Sequence, residues 1–191
     1  CAFLAEHNLP FRIMDHLSTL ILTTFYDSAI AKSFSCKRTK AAALTYNVLA
    51  QSFKTNLRQQ IEATDQHNNA GKSVSLVIDE TTDKGTTKCM SIVVKYFSKK
   101  LLRVDTRLLN LVPVDGETAA GLFETMQSDL GKHGIEIKHL VGFAADTTNV
   151  IFGNNNSIIS RITAANSHCL TIKCACHSCA LAVSHACTVL P

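Results

Sequence analysis

The sequence predicts an α/β domain that follows a helical segment, and three observations lead to this prediction. Up to about Asn69, apolar side chains recur at helical spacings, and a polar stretch containing Gly71 follows. From Ser73 onward, short β-branched runs replace the helical pattern. Three such runs come first, and helices then alternate with strands. We therefore expect a helical segment over residues 1–70 and an α/β domain over residues 73–191.

The helical segment contains two amphipathic patterns. In "FRIMDHLSTLILTTFY", the residues Phe11, Met14 and Leu17 begin an apolar face at spacings of three and four. In "KAAALTYNVLAQSFKTNLRQQIEA", a similar face runs from Leu44 to Ile61, and the Ala, Gln, Leu and Lys content favours a helix. The polar stretch "TDQHNNAGKS" then predicts a loop and a boundary between two parts.

Three strands are predicted next, over "SVSLVIDE", "KCMSIVVKYFS" and "LLRVDTRLLNLVPV". The first run is almost continuously apolar, which is typical of a strand buried on both faces. In the second run, alternate residues such as Met90 and Ile92 are apolar, and the residues between them are more polar. Cys89 is interpreted as a small core residue. Because the links between the runs are short, the three strands should be antiparallel neighbours.

The remainder of the domain alternates between helix and strand. We expect a helix over 117–134, a strand over 139–146, a helix over 149–166, a strand over 169–174 and a last helix from Cys176. A three-stranded meander followed by this alternation is the order of a ribonuclease H-like fold, a mixed five-stranded sheet flanked by helices.

The composition favours a folded protein, since 46% of the residues are hydrophobic and 18% are charged. No apolar run approaches the ~20 residues of a membrane span, and the start lacks a signal pattern, so we expect a soluble intracellular protein. The formal charge of +4 permits nucleic-acid contact without requiring it. The cluster Lys37, Arg38 and Lys40 is either a contact for phosphates or a solvated helix end.

Two carboxylates follow predicted strands. Asp79 ends the first strand of the sheet and Asp146 ends the fourth, so the two side chains can meet at one edge if these strands are neighbours. Carboxylate pairs of this kind hold Mg²⁺ or Mn²⁺ for phosphodiester chemistry. The alternative is that both acids cap backbone groups, with Asp146 capping the next helix through Thr147 and Thr148.

Cysteine and histidine are concentrated near the end of the chain. Cys174-x-x-His177 and Cys176-x-x-Cys179 have spacings that a zinc site could use. Cys174 and Cys176 alternate across a strand end, however, and a second ligand pair beyond a loop is missing, so we expect no zinc here. The competing interpretation places Cys176, Cys179 and Cys187 in the core of the last helix.

Several segments in this order resemble the transposase core of the hAT superfamily. They are "SLVIDETTDKGTTKCMSIVVKYF", "LLNLVPVDGETAAGLFETM", "HGIEIKHLVGFAADTTNVIFGNNNSIISRI" and "KCACHSCALAVSHA", and the resemblance extends to the earlier "EHNLPFRIMDHLSTLI" and "SCKRTKAAAL". The resemblance is closest to transposon-derived proteins that carry BED-type or MYM-type zinc fingers elsewhere in the chain.

The resemblance implies roles for four residues. Asp79 matches the first catalytic Asp of the family and Asp146 the second, and both would bind Mg²⁺ or Mn²⁺ in an active enzyme. Cys174 and His177 match a Cys-x-x-His signature that supports the acidic pocket or contacts a DNA end without an intervening ion. The third family carboxylate, a Glu, follows a long helical insertion, and we expect this chain to stop before that insertion. The sequence Ala145-Asp146-Thr147 departs from the usual Ser-Asp-Gly.

The leading hypothesis is a fragment of a hAT-like DNA transposase or transposase-derived protein. The ancestral activity would be metal-dependent DNA cleavage and strand transfer, and this chain alone should be inactive because only two of three carboxylates are present. The alternative is a domesticated, non-catalytic domain that binds DNA, chromatin or another protein. A third hypothesis is a metal-free interaction domain whose acids are caps. The resemblance further implies nuclear residence, DNA as the partner of the full-length protein, and a homo-oligomer formed through a C-terminal region outside this chain.

Overall fold

A computed structural model describes residues 1–63, 72–82, 85–114, 116 and 118–189. By internal contacts the chain divides into two compact units, with the division between Asn56 and Leu57. The predicted boundary loop lies almost entirely outside the described residues, so the boundary at residue 70 stays a prediction. In the described ranges, every helix is too short or too polar to cross a membrane.

The first unit is helical, as the sequence predicts. Its helices are α1 (Ala2–Glu6), α2 (Ile13–Thr24), α3 (Ala29–Ser33), α4 (Arg38–Leu44) and the start of α5 (Ala50–Ala63). A π-helical turn over Thr45–Leu49 joins α4 to α5. Leu4, Met14 and Ala41 form a small core.

The predicted apolar face between Leu44 and Ile61 is only partly correct. Leu57 and Ile61 are buried, whereas Val48 and Phe53 are more than half exposed. The π-helical turn lies at the start of the predicted face and explains why the face is interrupted there. A π-helical turn contains an extra residue, so the side chains that precede the turn are rotated about the helix axis relative to those that follow it.

The second unit contains the mixed five-stranded sheet that the sequence predicts. The strands are β1 (Val74–Thr82), β2 (Lys88–Ser98), β3 (Arg103–Pro113), β4 (Leu140–Ala145) and β5 (Leu170–Lys173). They lie in the order β3-β2-β1-β4-β5. The β1–β2 and β2–β3 pairs are antiparallel, and the β1–β4 and β4–β5 pairs are parallel. The meander is therefore followed by parallel strands, which is the topology expected from the order of elements.

Helices of the second unit follow the predicted order, with one difference. They are α6 (Ala119–Lys132), α7 (Asn149–Phe152), α8 (Ile158–Ala165) and α9 (Ala175–Val189), with a 3₁₀ turn over Ile137–His139. The single helix predicted over 149–166 is divided into α7 and α8. Gly153 adopts an extended conformation after α7, and a Cβ at that position would lie 2.4 Å from the Asn149 carbonyl oxygen. The chain restarts as a helix at Ser157, whose hydroxyl caps α8.

One face of the sheet, the helix-covered face, forms the core. It is built by alternate residues of the strands, which pack against the apolar sides of α6 and α8. The strand residues are Val74, Leu76, Ile78, Met90, Ile92, Val94, Tyr96, Leu109, Phe143 and Ala145. The helix residues include Leu122, Met126, Leu130, Ile158 and Ile162. The predicted apolar parity of the second strand is thereby confirmed, and Cys89 is buried as predicted.

The opposite face of the sheet, the open face, is much more accessible. Ser75 and Val77 of β1 are half-buried on this side, and Leu108 and Ile172 of the strands on either side are 60% and 53% exposed. The prediction that the first strand is buried on both faces is therefore wrong. An apolar, β-branched run favours a strand, but it does not determine whether a second layer covers it.

Two irregularities in strand pairing change which residues face each side of the sheet. In the β2–β3 pair, the register shifts between Ile92 and Val93, so that Leu109 and Asn110 of β3 both turn toward α6. In the β1–β4 pair, Val74 pairs with Leu140 and Ser75 with Gly142, so that Val141 is an extra residue. The second irregularity fixes the register of all residues of β4 that follow it.

The last helix differs from its prediction. The sequence favours Cys176, Cys179 and Cys187 as core residues, but all three are exposed, and none of the described residues of α9 is buried. The apolar character of this helix is distributed around its circumference, since Ala, Val, Leu and Cys alternate with few polar residues. Composition therefore could not reveal which face, if any, packs against the sheet.

Candidate functional site

Asp79 and Asp146 approach the same edge of the sheet from neighbouring parallel strands. The last registered pair of β1 and β4 is Val77 with Ala144. Asp79 lies two residues further along β1, and Asp146 follows the last residue of β4. Extending the register by two residues would place Asp79 opposite Asp146 and, because side chains alternate along a strand, would give both acids the parity of the open face. We call this edge, with Asp79 and Asp146, the acid edge.

The Asp79 side chain is accessible. Asp79 belongs to β1 and pairs with Ser91 of β2, whose hydroxyl donates to the Asp79 main-chain oxygen at 3.0 Å. The residue is exposed, and its carboxylate forms no hydrogen bond or ion pair with other described residues. The strand thus holds the backbone of Asp79 firmly, while the carboxylate oxygens remain available to a ligand.

Asp146 is half-buried and follows the end of β4. Its Oδ1 accepts hydrogen bonds from the Thr148 hydroxyl at 3.1 Å and from the Thr148 backbone N–H at 3.5 Å. These contacts form a turn onto Thr148, which is the N-cap residue of α7, but α7 has no side-chain cap hydrogen bond, so the capping alternative is met only in part. They engage one carboxylate oxygen and orient the other, so capping and ligand binding are compatible at this residue.

Cys174 and His177 lie at the same end of the sheet. Lys173 of β5 pairs with Ala145 of β4, and the Cys174 N–H donates to the Ala145 carbonyl oxygen at 2.7 Å. Cys174 is therefore the next residue of β5 beside Asp146. His177 follows within the first turn of α9, and both side chains are half-buried. In the described part of the chain, the Cys174 thiol and the His177 ring form no hydrogen bond with each other.

The donor set at the acid edge suits a hard cation better than zinc. Carboxylate oxygens are the ligands that Mg²⁺ and Mn²⁺ prefer, and Mg²⁺ commonly takes one or two carboxylates together with water and substrate phosphates. Among the described residues, no group of three or more His, Cys, Asp or Glu side chains is arranged to hold a metal ion. Asp79 and Asp146 can thus supply two ligands, and other ligands would have to come from elsewhere.

A second feature, the basic hairpin, lies at the opposite edge of the sheet. Lys99 and Lys100 lie in the turn between β2 and β3, Arg103 begins β3, and Lys95 lies three residues before the end of β2; all four are exposed. None of them forms an ion pair or side-chain hydrogen bond with another described residue. Since Val74 pairs with Tyr96, this turn lies beyond the start of β1, roughly 25 Å from the acid edge at ~3.3 Å per residue.

The acid nearest to the basic hairpin is already neutralised. Asp105 of β3 binds the Arg107 guanidinium at 2.8 Å. Burial opposes ionisation of Asp105, but the hydrogen bond and positive charge of Arg107, together with hydrogen bonds from Thr106 and Tyr96, outweigh it and hold the pKa of Asp105 below its ordinary value. The four cations of the hairpin therefore keep their positive potential.

The basic cluster that the sequence favours is arranged differently. Arg38 lies 3.4 Å from the Asp15 carboxylate, which also accepts the Arg38 backbone N–H at 2.9 Å. The Lys40 ammonium donates to the Ser35 carbonyl oxygen at 2.8 Å. These contacts support the interpretation as a solvated helix end. Sequence reasoning missed the basic hairpin because the link between the second and third predicted strands was considered only for its length. The signal available was the close spacing of Lys95, Lys99, Lys100 and Arg103 along the sequence.

Comparison with known protein families gives one match over most of the chain. The model of a family described as the ZMYM1/FAM200 RNase-like domain, DUF4371, matches residues 20–156. The matched range includes β1 to β4, α6 and α7, and therefore both Asp79 and Asp146. It agrees with the mixed sheet described above, and the family is transposase-derived.

Proposed function

This chain belongs to the ZMYM1/FAM200 RNase-like domain family, and from that premise we propose that it is the partial core of a hAT-type DNA transposase or of a protein derived from one. In this proposal, Asp79 and Asp146 are the inherited ligands for Mg²⁺ or Mn²⁺. The ancestral reaction is metal-dependent cleavage and transfer of a DNA strand.

The observation that carries the proposal is the register of β1 and β4. The register of Val77 with Ala144, extended by two residues, would bring together two acids that are 67 positions apart in the sequence, and it would give them the same strand parity. Neighbouring strands lie about 4.8 Å apart, so carboxylates on them can share a cation. Acids placed only for solvation would have no reason to coincide in strand position, parity and sheet edge.

The chemistry assigned to the acid edge requires negative charge at a fixed position. A divalent ion bound there would supply Lewis-acid activation of an attacking water or 3′-hydroxyl and stabilise the leaving oxygen. Asp79 would contribute from the rigid strand, with both carboxylate oxygens accessible. Asp146 would contribute through the carboxylate oxygen that Thr148 leaves unengaged, since the hydrogen bonds to Thr148 fix the orientation of the group.

We expect the chain alone to be inactive as a nuclease. A two-metal site needs a ligand that bridges both ions and further carboxylates around them, and two acids leave such a pair under-coordinated. The first measurable property of the acid edge is therefore cation binding and not turnover.

Calorimetric titration of Mn²⁺ into the chain tests the proposal. We expect one weak site, and we expect Asp79→Asn and Asp146→Asn each to weaken binding about tenfold or more through the loss of a carboxylate ligand. Glu80→Gln is the matched control, because Glu80 is an exposed neighbouring acid of opposite strand parity. Binding that is equally affected by all three substitutions, or by none, would contradict a site at the acid edge.

The basic hairpin favours a second candidate function, which is DNA binding without cleavage by a domesticated protein. Four exposed cations that form no ion pair with another described residue can neutralise backbone phosphates. This function needs no third carboxylate and would persist if the metal site were lost.

Fluorescence anisotropy with a labelled DNA duplex at several salt concentrations tests this second candidate. Each phosphate contact contributes about 0.9 to the slope of log affinity against log salt. The triple substitution Lys99→Gln, Lys100→Gln and Arg103→Gln should therefore reduce the slope by about 2.7. Substituting the partnered cluster Lys37, Arg38 and Lys40 in the same way should change it by less than ~1. Equal changes for the two triples would reject the hairpin as the DNA contact.

Nuclear residence belongs to the same proposal, because DNA is the expected partner. The zinc fingers and the oligomerisation region of a full-length protein stay predictions from the resemblance. Imaging of the chain fused to a fluorescent protein, with and without the hairpin substitutions, would show whether it accumulates with chromatin. Uniform distribution of the unsubstituted fusion would count against nuclear retention by this chain.

A further inference from the structure

The start of α9 carries two thiols that the proposed function does not use. Cys176 and Cys179 are both exposed, and both lie in the first turns of α9, which extends over Ala175–Val189. Neither thiol is engaged in a disulfide. We infer that Cys176 and Cys179 form a redox dithiol, which closes reversibly to a disulfide by exchange with a low-molecular-weight disulfide such as oxidised glutathione.

The helix places the two residues at a separation that a disulfide can span. Residues three apart in an α-helix have Cα atoms about 5 Å apart and project from the same side. Disulfides are formed over Cα separations of about 4.4–6.8 Å. The Cβ atoms must come closer by about 1–2 Å, which the first turn of a helix can provide by tightening to a 3₁₀ geometry.

The surroundings of the pair favour reversible exchange. Since α9 has no buried residue among those described, closing the ring disturbs no packed core. Both sulfurs are accessible to a soluble disulfide. A structural pair would instead be enclosed, which slows attack by external thiols.

Other cysteines are less suitable as partners. Cys187 is exposed on the same helix, but eight residues from Cys179 correspond to a rise of about 12 Å, beyond the reach of a disulfide. Cys169 is half-buried before β5, and burial raises the pKa of its thiol, which reduces its reactivity as a thiolate. Cys174 is held at the end of β5 by the hydrogen bond of its N–H to Ala145.

The reaction proceeds in two balanced exchanges. The thiolate of one cysteine attacks oxidised glutathione, forms a mixed disulfide and releases one glutathione thiol. The second cysteine attacks the protein sulfur of that mixed disulfide, closes the Cys176–Cys179 bond and releases the second glutathione. The dithiol loses two electrons and two protons, and both are recovered in the two reduced glutathione molecules.

Closure would affect the two residues between the cysteines, His177 and Ser178. His177 lies inside the ring that the disulfide completes, in the same first turn of α9. Tightening that turn re-orients the His177 ring relative to Cys174 and the acid edge. The redox state of α9 could thereby influence the proposed site, although the dithiol itself does not depend on DNA or metal binding.

The test uses the 191-residue chain equilibrated with defined ratios of reduced and oxidised glutathione, followed by acid quenching and mass spectrometry. To isolate the pair, Cys174 and Cys187 are replaced by serine. We expect the C-terminal tryptic peptide to lose the mass of two hydrogen atoms as the ratio becomes oxidising, and to recover it on reduction. Cross-linking by dibromobimane, a reagent that fluoresces strongly when it joins two neighbouring thiols, should give one adduct per chain.

Single substitutions supply the controls. Cys176→Ser and Cys179→Ser should each reduce the dibromobimane signal roughly tenfold, because the effective concentration of the second thiol is lost. Cys187→Ser alone should leave the signal unchanged, and far-ultraviolet circular dichroism checks that each variant is folded. Stable mixed disulfides on both cysteines without ring closure, or a signal that survives Cys176→Ser, would overturn the inference.

Discussion

On the helix-covered face of the sheet, Leu76, Ile92 and Phe143 are almost completely buried, whereas Leu108 and Ile172 on the open face are more than half exposed. The same strands contribute to both faces, so the difference arises from what lies against each side and not from strand propensity. The helix-covered face contains the aliphatic core, and the candidate acids lie on the open face. The residues that form the core and the acids of the proposed site therefore belong to opposite sides of one sheet.

Leucine truncation on the two faces gives the largest expected contrast. Leu76→Ala removes a side chain that is 1% exposed and should lower the free energy of unfolding by about 3 kcal/mol through lost burial and an internal cavity. Leu108→Ala removes the same atoms from a side chain that is 60% exposed and should cost less than ~0.5 kcal/mol.

Urea denaturation of both variants measures this contrast. The slope of the unfolding free energy against urea concentration should be the same for both variants, so that a change in the midpoint reports a change in stability alone. Comparable losses for the two leucines would mean that the open face is covered in solution.

A buried polar contact sharpens the comparison on the helix-covered face. Asn110 Nδ2 donates to Asp129 Oδ1 at 2.9 Å, and Asp129 is 1% exposed with its Oδ2 lacking a hydrogen bond. Asn110→Ala should cost about 2 kcal/mol, because it removes a hydrogen bond from a buried carboxylate that also lies 3.7 Å from the Lys132 ammonium.

Thermal unfolding of Asn110→Ala beside Asn156→Ala measures the effect. Asn156 also forms a side-chain hydrogen bond, to Arg161, but at the surface, so its loss should cost less than ~0.5 kcal/mol. Equal losses of stability in the two variants would show that the burial of Asp129 does not strengthen the effect of losing its hydrogen bond.

The smallest expected effect concerns the titration of Tyr96. Burial, aided by the negative charge of Asp105, raises the pKa of Tyr96 above its ordinary value near 10. The folded protein thus holds this proton more tightly than the unfolded chain does. The resulting stabilisation is fully present below pH ~10 and is lost as the pH rises through the folded-state pKa.

Unfolding measured between pH 8 and pH 11 should show this loss. Tyr96→Phe removes the hydroxyl that donates to Gln60 Oε1 at 2.6 Å, and should cost about 1 kcal/mol at neutral pH while flattening the alkaline decline. An unchanged decline in Tyr96→Phe would assign it to another group.

Periodicity predicted the elements and their order well, because it depends only on local alternation. The bounds of β2 agree with the prediction, and α6 presents Leu122, Met126 and Leu130 to the core. Periodicity could not show whether a given face is covered, and for this reason the cysteines of α9 were predicted as core residues. It also could not predict the irregularity in β3, where the consecutive residues Leu109 and Asn110 both face α6.

The candidate site was predictable to a similar extent. Acids after apolar runs indicated Asp79 and Asp146, but their adjacency depends on the strand order and on the register of β1 with β4. The basic hairpin escaped notice because its four cations are divided between β2, the turn and the start of β3. Cross-strand proximity is a property of pairing that no single segment contains.

The extra residue Val141 has a consequence for how this family can change in length. If Val141 instead paired regularly with Ser75, every later residue of β4 would shift by one position, and Ala145 would take the position opposite Asp79. Deletion of Val141 would therefore remove the irregularity and keep the later pairs, from Ser75 with Gly142 to Val77 with Ala144. Deletion of a residue between Gly142 and Asp146 would instead move Asp146 out of line with Asp79 while leaving both acids in the sequence. Length changes on the two sides of Gly142 thus have opposite consequences for the proposed carboxylate pair.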